Sequence, residues 1–185
     1  MLGRAFETDP TSAWLFPRAH GRSRALEDWY RINSQILLAT GEGWGTENLE
    51  SASLWLSVGL PPAPRASYSL GSLVLWNLQT AWKLGPRVPR AALTTARLHR
   101  LHPKGPGWYL AILGTEPRLQ GTGLGTAVLE PILTRCDQLG VQAYLDTATE
   151  RDVHFYTGRG FEVVSELDQA SGPHFWVMAR QPIRR

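Results

Sequence analysis

The stretch Gln120-Gly121-Thr122-Gly123-Leu124-Gly125-Thr126 decides how the rest of the chain is read. Before it runs Trp108-Tyr109-Leu110-Ala111-Ile112-Leu113, a short apolar segment of aromatic and branched residues expected to be a buried strand. Gly114-Thr115-Glu116-Pro117 is expected to break that strand, because proline cannot donate to a ladder. After the glycines, Leu124, Val128, Ile132 and Cys136 recur every fourth residue, joined by Ala127, Leu133 and Leu139. That period predicts a helix over 123–139, ended by Gly140 as a left-handed cap. Strand, loop, glycine turn and helix in this order aim several backbone N–H groups and a positive helix end at one point. Such a point suits a pyrophosphate.

Three other readings compete. A P-loop needs lysine and then Ser or Thr after its last glycine, which Leu124-Gly125-Thr126 does not supply. A dinucleotide fingerprint needs a third glycine where Thr126 stands, and a strand running straight into the loop. Asp146, at the end of the next strand, lies about where that fingerprint places its ribose-binding acid, and this keeps a nicotinamide-dependent oxidoreductase open. A purely structural turn is the plainest alternative.

Gln120-x-x-Gly123-x-Gly125 resembles the acetyl-CoA pyrophosphate motif, Gln/Arg-x-x-Gly-x-Gly/Ala, of the GCN5-related N-acetyltransferase (GNAT) superfamily. The resemblance continues through Tyr144-Leu145-Asp146-Thr147, Asp152-Val153-His154-Phe155-Tyr156 and Gly160-Phe161-Glu162-Val163-Val164. The block 102–180 is most similar to the puromycin N-acetyltransferase-like proteins. It shares Pro103-Lys104 leading to Trp108-Tyr109-Leu110, Pro131 inside the helix, and Gly172-Pro173 before Trp176-Val177-Met178. A weaker likeness reaches back to Ala5-Phe6-Glu7-Thr8-Asp9-Pro10.

The resemblance implies an α/β fold, a central mixed and mostly antiparallel sheet flanked by helices. It implies one domain over 1–185, with the acetyl-CoA-binding block at about 102–180. The family opens with a strand where this chain has only its start methionine, so that first strand is expected to be missing. The implied activity is transfer of acetyl from acetyl-CoA to a primary amine of a small molecule, with puromycin-like antibiotic resistance as its narrower form. The alternatives are a catalytically degenerate acyl-CoA-binding or regulatory protein, and a protein N-terminal or lysine acetyltransferase.

Such acyl transfer needs a donor for the oxyanion, an acid for the leaving sulfur and a base for the amine proton. By resemblance, Ile112, Leu113 and Gly114 bind the pantetheine and polarise the carbonyl through their backbone. Gln120, Gly121, Thr122, Gly123, Leu124, Gly125 and Thr126 hold the pyrophosphate. Tyr156 matches the family's general acid, and a phenol with a pKa of about 10 is protonated at neutral pH. Without the family, Tyr156 reads as an aromatic packing one face of a short helix beside Phe155. Asp146 is the candidate base or amine-orienting group, with His99, His102, His154 and His174 as alternatives. Trp29 and Trp108 fall in regions that approach the acceptor in the family, although core filling is the commoner use of tryptophan.

Two departures stand out. Thr122 replaces a usual Lys or Arg, which removes a charge near the phosphates. Asp152 replaces a usual asparagine and adds a negative charge, while Thr149-x-x-Asp152 also reads as a capping box.

Composition agrees with a globular protein: 185 residues, 43% hydrophobic, a net charge of +3 and one cysteine. That single cysteine excludes an internal disulfide and a multi-cysteine metal site, and Cys136 falls on the apolar stripe of its helix. No metal is expected. The opening residues lack the apolar core of a signal peptide, and no run is long enough to span a bilayer, so a cytoplasmic monomer or homodimer with no membrane partner is expected. Basic residues are scattered, which argues against a nucleic-acid partner.

Elsewhere, 1–9 reads as the end of a helix broken at Asp9-Pro10, and 12–16 as a loop. An amphipathic helix is expected over 22–38, a turn over 41–45, and short strands at 44–46 and 52–58. Pro61-Pro62-Ala63-Pro64 ends the second strand. Helices are expected over 67–82, 89–101 and 152–159, and strands over 142–146, 161–166 and 174–180. The strands at 108–113 and 142–146, joined through a helix, predict a right-handed parallel crossover.

Overall fold

The computed structural model describes residues 1–60 and 78–183. Its strands are β1 Glu42–Gly45, β2 Ser51–Val58, β3 Gly107–Thr115, β4 Gln142–Thr147, β5 Glu162–Leu167 and β6 Phe175–Arg180. Its helices are α1 Leu2–Ala5, α2 Pro10–Leu15, α3 Arg22–Thr40, α4 (helical residues 78–84), α5 Val88–Leu101, α6 Leu124–Leu139 and α7 Glu150–Thr157. One sheet in the order β1-β2-β3-β4-β6-β5 runs through the molecule. Only β3 and β4 are parallel, joined through α6; the other neighbours are antiparallel. This is the mixed α/β architecture the resemblance implied, and no described residue before β1 lies in a strand.

The faces of β3 follow strand parity. Trp108 and Leu110 share a core with Leu129, Ile132, Leu133 and Cys136 of α6, Trp55 of β2 and Met178 of β6. Burying each large side chain of that kind stabilises by about 1.5–3 kcal/mol. Tyr109 takes the opposite face and lies beside Tyr144 of β4, ring centroids 5.4 Å apart. A second connection ties sheet to helix. Ser53 Oγ donates to the Val128 carbonyl at 2.6 Å, and Trp55 Nε1 donates to Ser53 Oγ at 3.0 Å. Gly140 caps α6 at φ 65°, with Val141 N–H reaching back to the Cys136 carbonyl, as expected. Burial pushes the Cys136 thiol up to about 12, so it is an inert core residue.

Three expectations need correction. Residues 12–16 are not a loop, because α2 spans Pro10–Leu15. Proline suits a first helical position, and the Asp9 carboxylate caps the Ser12 N–H at 2.8 Å, so Asp9-Pro10 starts a helix. Glu42 to Gly45, expected as a turn, pairs with β2 as a strand. β3 continues through Gly114 and Thr115 and stops only at Glu116-Pro117. Gly114 serves close packing here, since a Cβ on it would lie 2.6 Å from Leu2 Cδ2 of α1. Pro61-Pro62-Ala63-Pro64 and most of the helix expected over 67–82 lie outside the described residues.

Candidate active site

β3 and β4 pair only from Gly107 opposite Gln142 to Leu110 opposite Leu145. Both strands run on, to Thr115 and Thr147, without pairing with each other. Where they part, a cleft of about 650 Å³ opens between them. On its β3 wall, Leu54 and Trp55 of β2 face Ile112 and Leu110, so Ala111 is the extra residue of a bulge. Beyond Leu110 no described strand pairs with β3 on its β4 side, so backbone polar groups there are open to a ligand or water.

The glycine turn closes one end. Gly121 and Gly123 sit at φ 83° and 91°, which glycine adopts without the strain a Cβ would bring. Gly123 caps α6, and its carbonyl accepts from Thr126 and Ala127. The amides of Gly121, Gly123, Leu124 and Gly125 donate to no described group. A cluster of free N–H groups at a helix start fits a phosphate. Gln120 is held from both sides: its Nε2 donates to the Thr115 carbonyl at 3.3 Å, and Arg151 Nη2 donates to its Oε1 at 2.6 Å.

Tyr156 also lines the cleft, buried at 8% exposure between Phe155 and Phe161, both edge-on to it. Burial, and then the charges of Asp152 and Asp146, push its phenol well up, so it stays protonated. Asp146 is half-buried. Its Oδ1 lies 2.9 Å from His102 Nε2 and accepts the Tyr109 hydroxyl at 2.9 Å. Burial and the Asp146 charge raise the Tyr109 phenol too, which keeps that donor in place. Thr149 Oγ1 caps the Asp152 N–H at 3.1 Å, while the Asp152 side chain accepts from Thr147 Oγ1 at 3.2 Å. Only one half of the expected capping box is formed.

Ile112, Leu113, Gly114, Gln120, Gly121, Gly123, Gly125, Thr126, Asp146, Asp152 and Tyr156 thus all line one cleft. Thr122 and Leu124 do not; the Thr122 hydroxyl donates to the Leu119 carbonyl at 2.7 Å, within its own loop. Trp29 and Trp108 are not there either. Trp29 packs edge-on to Phe16, 5.8 Å between centroids, and Trp108 is buried in the core beneath α6. Of the four candidate histidines, only His102 reaches the site, through Asp146 Oδ1. His99 and His154 are exposed, and His174 sits between Glu166 and Asp168.

Several lining residues escaped the sequence reading. Phe6, Asp9 and Tyr30 are brought in by α1, α2 and α3, and Arg159 by the turn after α7. Burial, and next the Asp152 charge, raise the Asp9 carboxyl above its usual value. Tyr109 was legible in principle, because it has the opposite strand parity to Trp108. Among the described residues no group of three or more His, Cys, Asp or Glu could hold a metal, and no helix is long and apolar enough to cross a membrane.

Residues 90–161, which hold β3, the glycine turn, α6, β4 and α7, match the Acetyltransferase (GNAT) family. A mycothiol acetyltransferase from Propionibacterium freudenreichii subsp. shermanii is 42% identical over 57 residues, 29% of this chain and 18% of that protein. The chain therefore spans under a fifth of that curated relative. A crystal structure from Corynebacterium glutamicum, described as histone acetyltransferase HPA2 and related acetyltransferase, superposes with a TM-score of 0.57 at 21% identity. It covers 100% of this chain and 88% of that one, and shows a shared fold. Neither match is of the puromycin type. The loop, the parted strands and the match to the Acetyltransferase (GNAT) family all fall within residues 90–161.

Proposed function

We propose that this chain transfers the acetyl group of acetyl-CoA to the primary amine of a small molecule. The carrying observation is the parting of β3 from β4 beside a glycine turn, with unpaired β3 backbone and a buried, protonated Tyr156 lining the same cleft. Acetyl-CoA supplies an activated thioester when bound. The backbone beyond Leu110, at Ile112, Leu113 and Gly114, would hold the pantetheine and donate to the carbonyl oxygen. The free amides from Gly121 to Gly125 would receive the pyrophosphate. Tyr156 would hand its proton to the departing sulfur.

Asp146 would orient the amine and take its proton, directly or through water, while His102 and Tyr109 fix the carboxylate through Oδ1. Asp9 and Asp152 add negative charge to the same cleft, which favours a cationic acceptor. Aromatic walls for that acceptor would come from Phe6, Tyr30 and Phe175, in place of Trp29 and Trp108. No observation favours an antibiotic over any other small amine. The mycothiol acetyltransferase match supports acetyl transfer and leaves the acceptor open.

The test is thermal unfolding with and without saturating acetyl-CoA, followed by release of free CoA across a panel of amines. A ligand that binds only the folded state raises the midpoint. A cooperative transition that acetyl-CoA does not move refutes the proposal.

A further inference from the structure

Arg159 has no role in the scheme above, and its surroundings are unusual for a cation. It lies two residues past α7 and lines the cleft beside the glycine turn. Its Nε donates to Thr126 Oγ1 at 3.0 Å, its Nη2 donates to the same oxygen, and its Nη1 donates to the Phe155 carbonyl. The guanidinium carbon stands 3.5 Å from the centroid of the Phe155 ring. All of these partners are neutral, and no carboxylate pairs with Arg159 among the described residues. Burial accordingly lowers its pKa. A guanidinium has five N–H donors, so two remain unused, one on each terminal nitrogen.

Such a half-desolvated cation without a counter-ion is costly unless an anion completes it. Thr126 belongs to the first turn of α6, the turn that presents the free amides of Leu124 and Gly125. We propose that Arg159 is a phosphate-binding residue, supplying from the end of α7 the positive charge that Thr122 does not supply from the loop. The inference rests on the acetyl-CoA reading. In the bound state the two unused donors face a phosphate oxygen, while Thr126 and Phe155 hold the fork in place beforehand. Pre-orientation of this kind lowers the entropy lost on binding.

The test compares acetyl-CoA, 3′-dephospho-acetyl-CoA and S-acetylpantetheine, which carries no phosphate, by calorimetric titration of the wild type, Arg159→Gln and Arg159→Lys. Arg159→Gln should weaken acetyl-CoA by about tenfold or more, the size expected for a hydrogen bond to a charged group. It should leave the weaker S-acetylpantetheine unchanged, and Arg159→Lys should fall between. A penalty kept with the dephospho form assigns the pyrophosphate; a penalty that vanishes assigns the 3′-phosphate. An equal penalty on all three ligands, or none on acetyl-CoA, overturns the inference. A readout that needs no variant is the Arg159 Nε–H resonance of the wild type, which should move with acetyl-CoA and stay with S-acetylpantetheine. A stationary resonance under saturating acetyl-CoA also overturns it. A wild type that binds no acetyl-CoA overturns instead the function proposed above, and this inference with it.

Discussion

The glycines of the turn are not equivalent, and Gly123→Ala against Gly125→Ala separates their roles. Gly123 has φ 91° with nothing within 4 Å of the place a Cβ would take. Alanine there meets no steric clash but must hold a left-handed conformation, at a cost of about 1–2 kcal/mol. For a domain of this size that corresponds to roughly 2–8 °C in midpoint. Relief of the strain would rotate the peptides on either side and re-aim the Gly123 and Leu124 amides. Losing one charge-assisted hydrogen bond to phosphate costs about 1.5–3 kcal/mol, so acetyl-CoA affinity should fall about tenfold or more. Gly125 has no positive φ, and its Cβ would sit 3.4 Å from Phe155 Cζ and Thr115 Oγ1. That contact is tight but not a clash, and it is offset by the roughly 0.5–1 kcal/mol that alanine contributes inside a helix. Gly125→Ala should therefore lie within about 0.5 kcal/mol of wild type and bind acetyl-CoA within about threefold. Urea unfolding and calorimetric titration of both variants decide the matter. Equal losses in the two, or a Gly123→Ala protein that matches wild type in both assays, would refute the reasoning.

Replacing Tyr156 by Phe should cut turnover by about 100-fold or more, the usual worth of a positioned acid, with acetyl-CoA affinity retained in titration. Tyr109→Phe removes one of the two donors on Asp146 Oδ1; kcat/KM for the amine should fall about tenfold while acetyl-CoA binding stays unchanged. Ser53→Ala removes a side-chain donor from the Val128 carbonyl and leaves the buried Trp55 Nε1 without its acceptor, so urea unfolding should show a loss of about 1–3 kcal/mol. The Asp168 carboxylate, and then Glu166, raise the His174 pKa above 6.5. A raised basic group stabilises fully below its unfolded value and loses that contribution as pH rises through the folded one. The unfolding free-energy difference between wild type and His174→Gln should thus be largest below about pH 6.5 and shrink above it, a few tenths of a kcal/mol for an exposed pair.

What the sequence carried legibly was local. The i+4 recurrence from Leu124 to Cys136 and the glycines at 121, 123 and 140 located β3, the turn, α6 and β4 to within a residue or two, because periodicity and left-handed positions are written in neighbouring residues. The motif residues fell around one cleft for the same reason. Two kinds of information were not local. Trp108 was assigned to the acceptor on chain position alone, when its parity with Leu110 already put it on the face that α6 covers. The bulge at Ala111 and the arrival of Asp9, Tyr30 and His102 depend on partners distant in sequence, such as Leu54 beside Ile112 and Asp146 beside His102, 44 residues away. Asp9-Pro10 failed for a third reason, since the same dipeptide can end one helix or cap the next.

These non-local residues polarise the cleft. Arg159 and the bare amides at the start of α6 bring positive charge to it, and Asp9, Asp146 and Asp152 bring negative charge. A polyphosphate and a cationic amine would then each meet opposite charge in one cavity. Tyr156 stands where the two fields meet: the carboxylates of Asp152 and Asp146 raise its pKa, and Arg159 opposes them more weakly. The balance falls on the side of the acids, and burial adds to it in the same direction. A phenol so placed keeps its proton until a stronger base than the surrounding carboxylates appears beside it. In the proposed reaction the departing thiolate is such a base, so the field that draws in the amine also holds the acid in the form needed to release the sulfur.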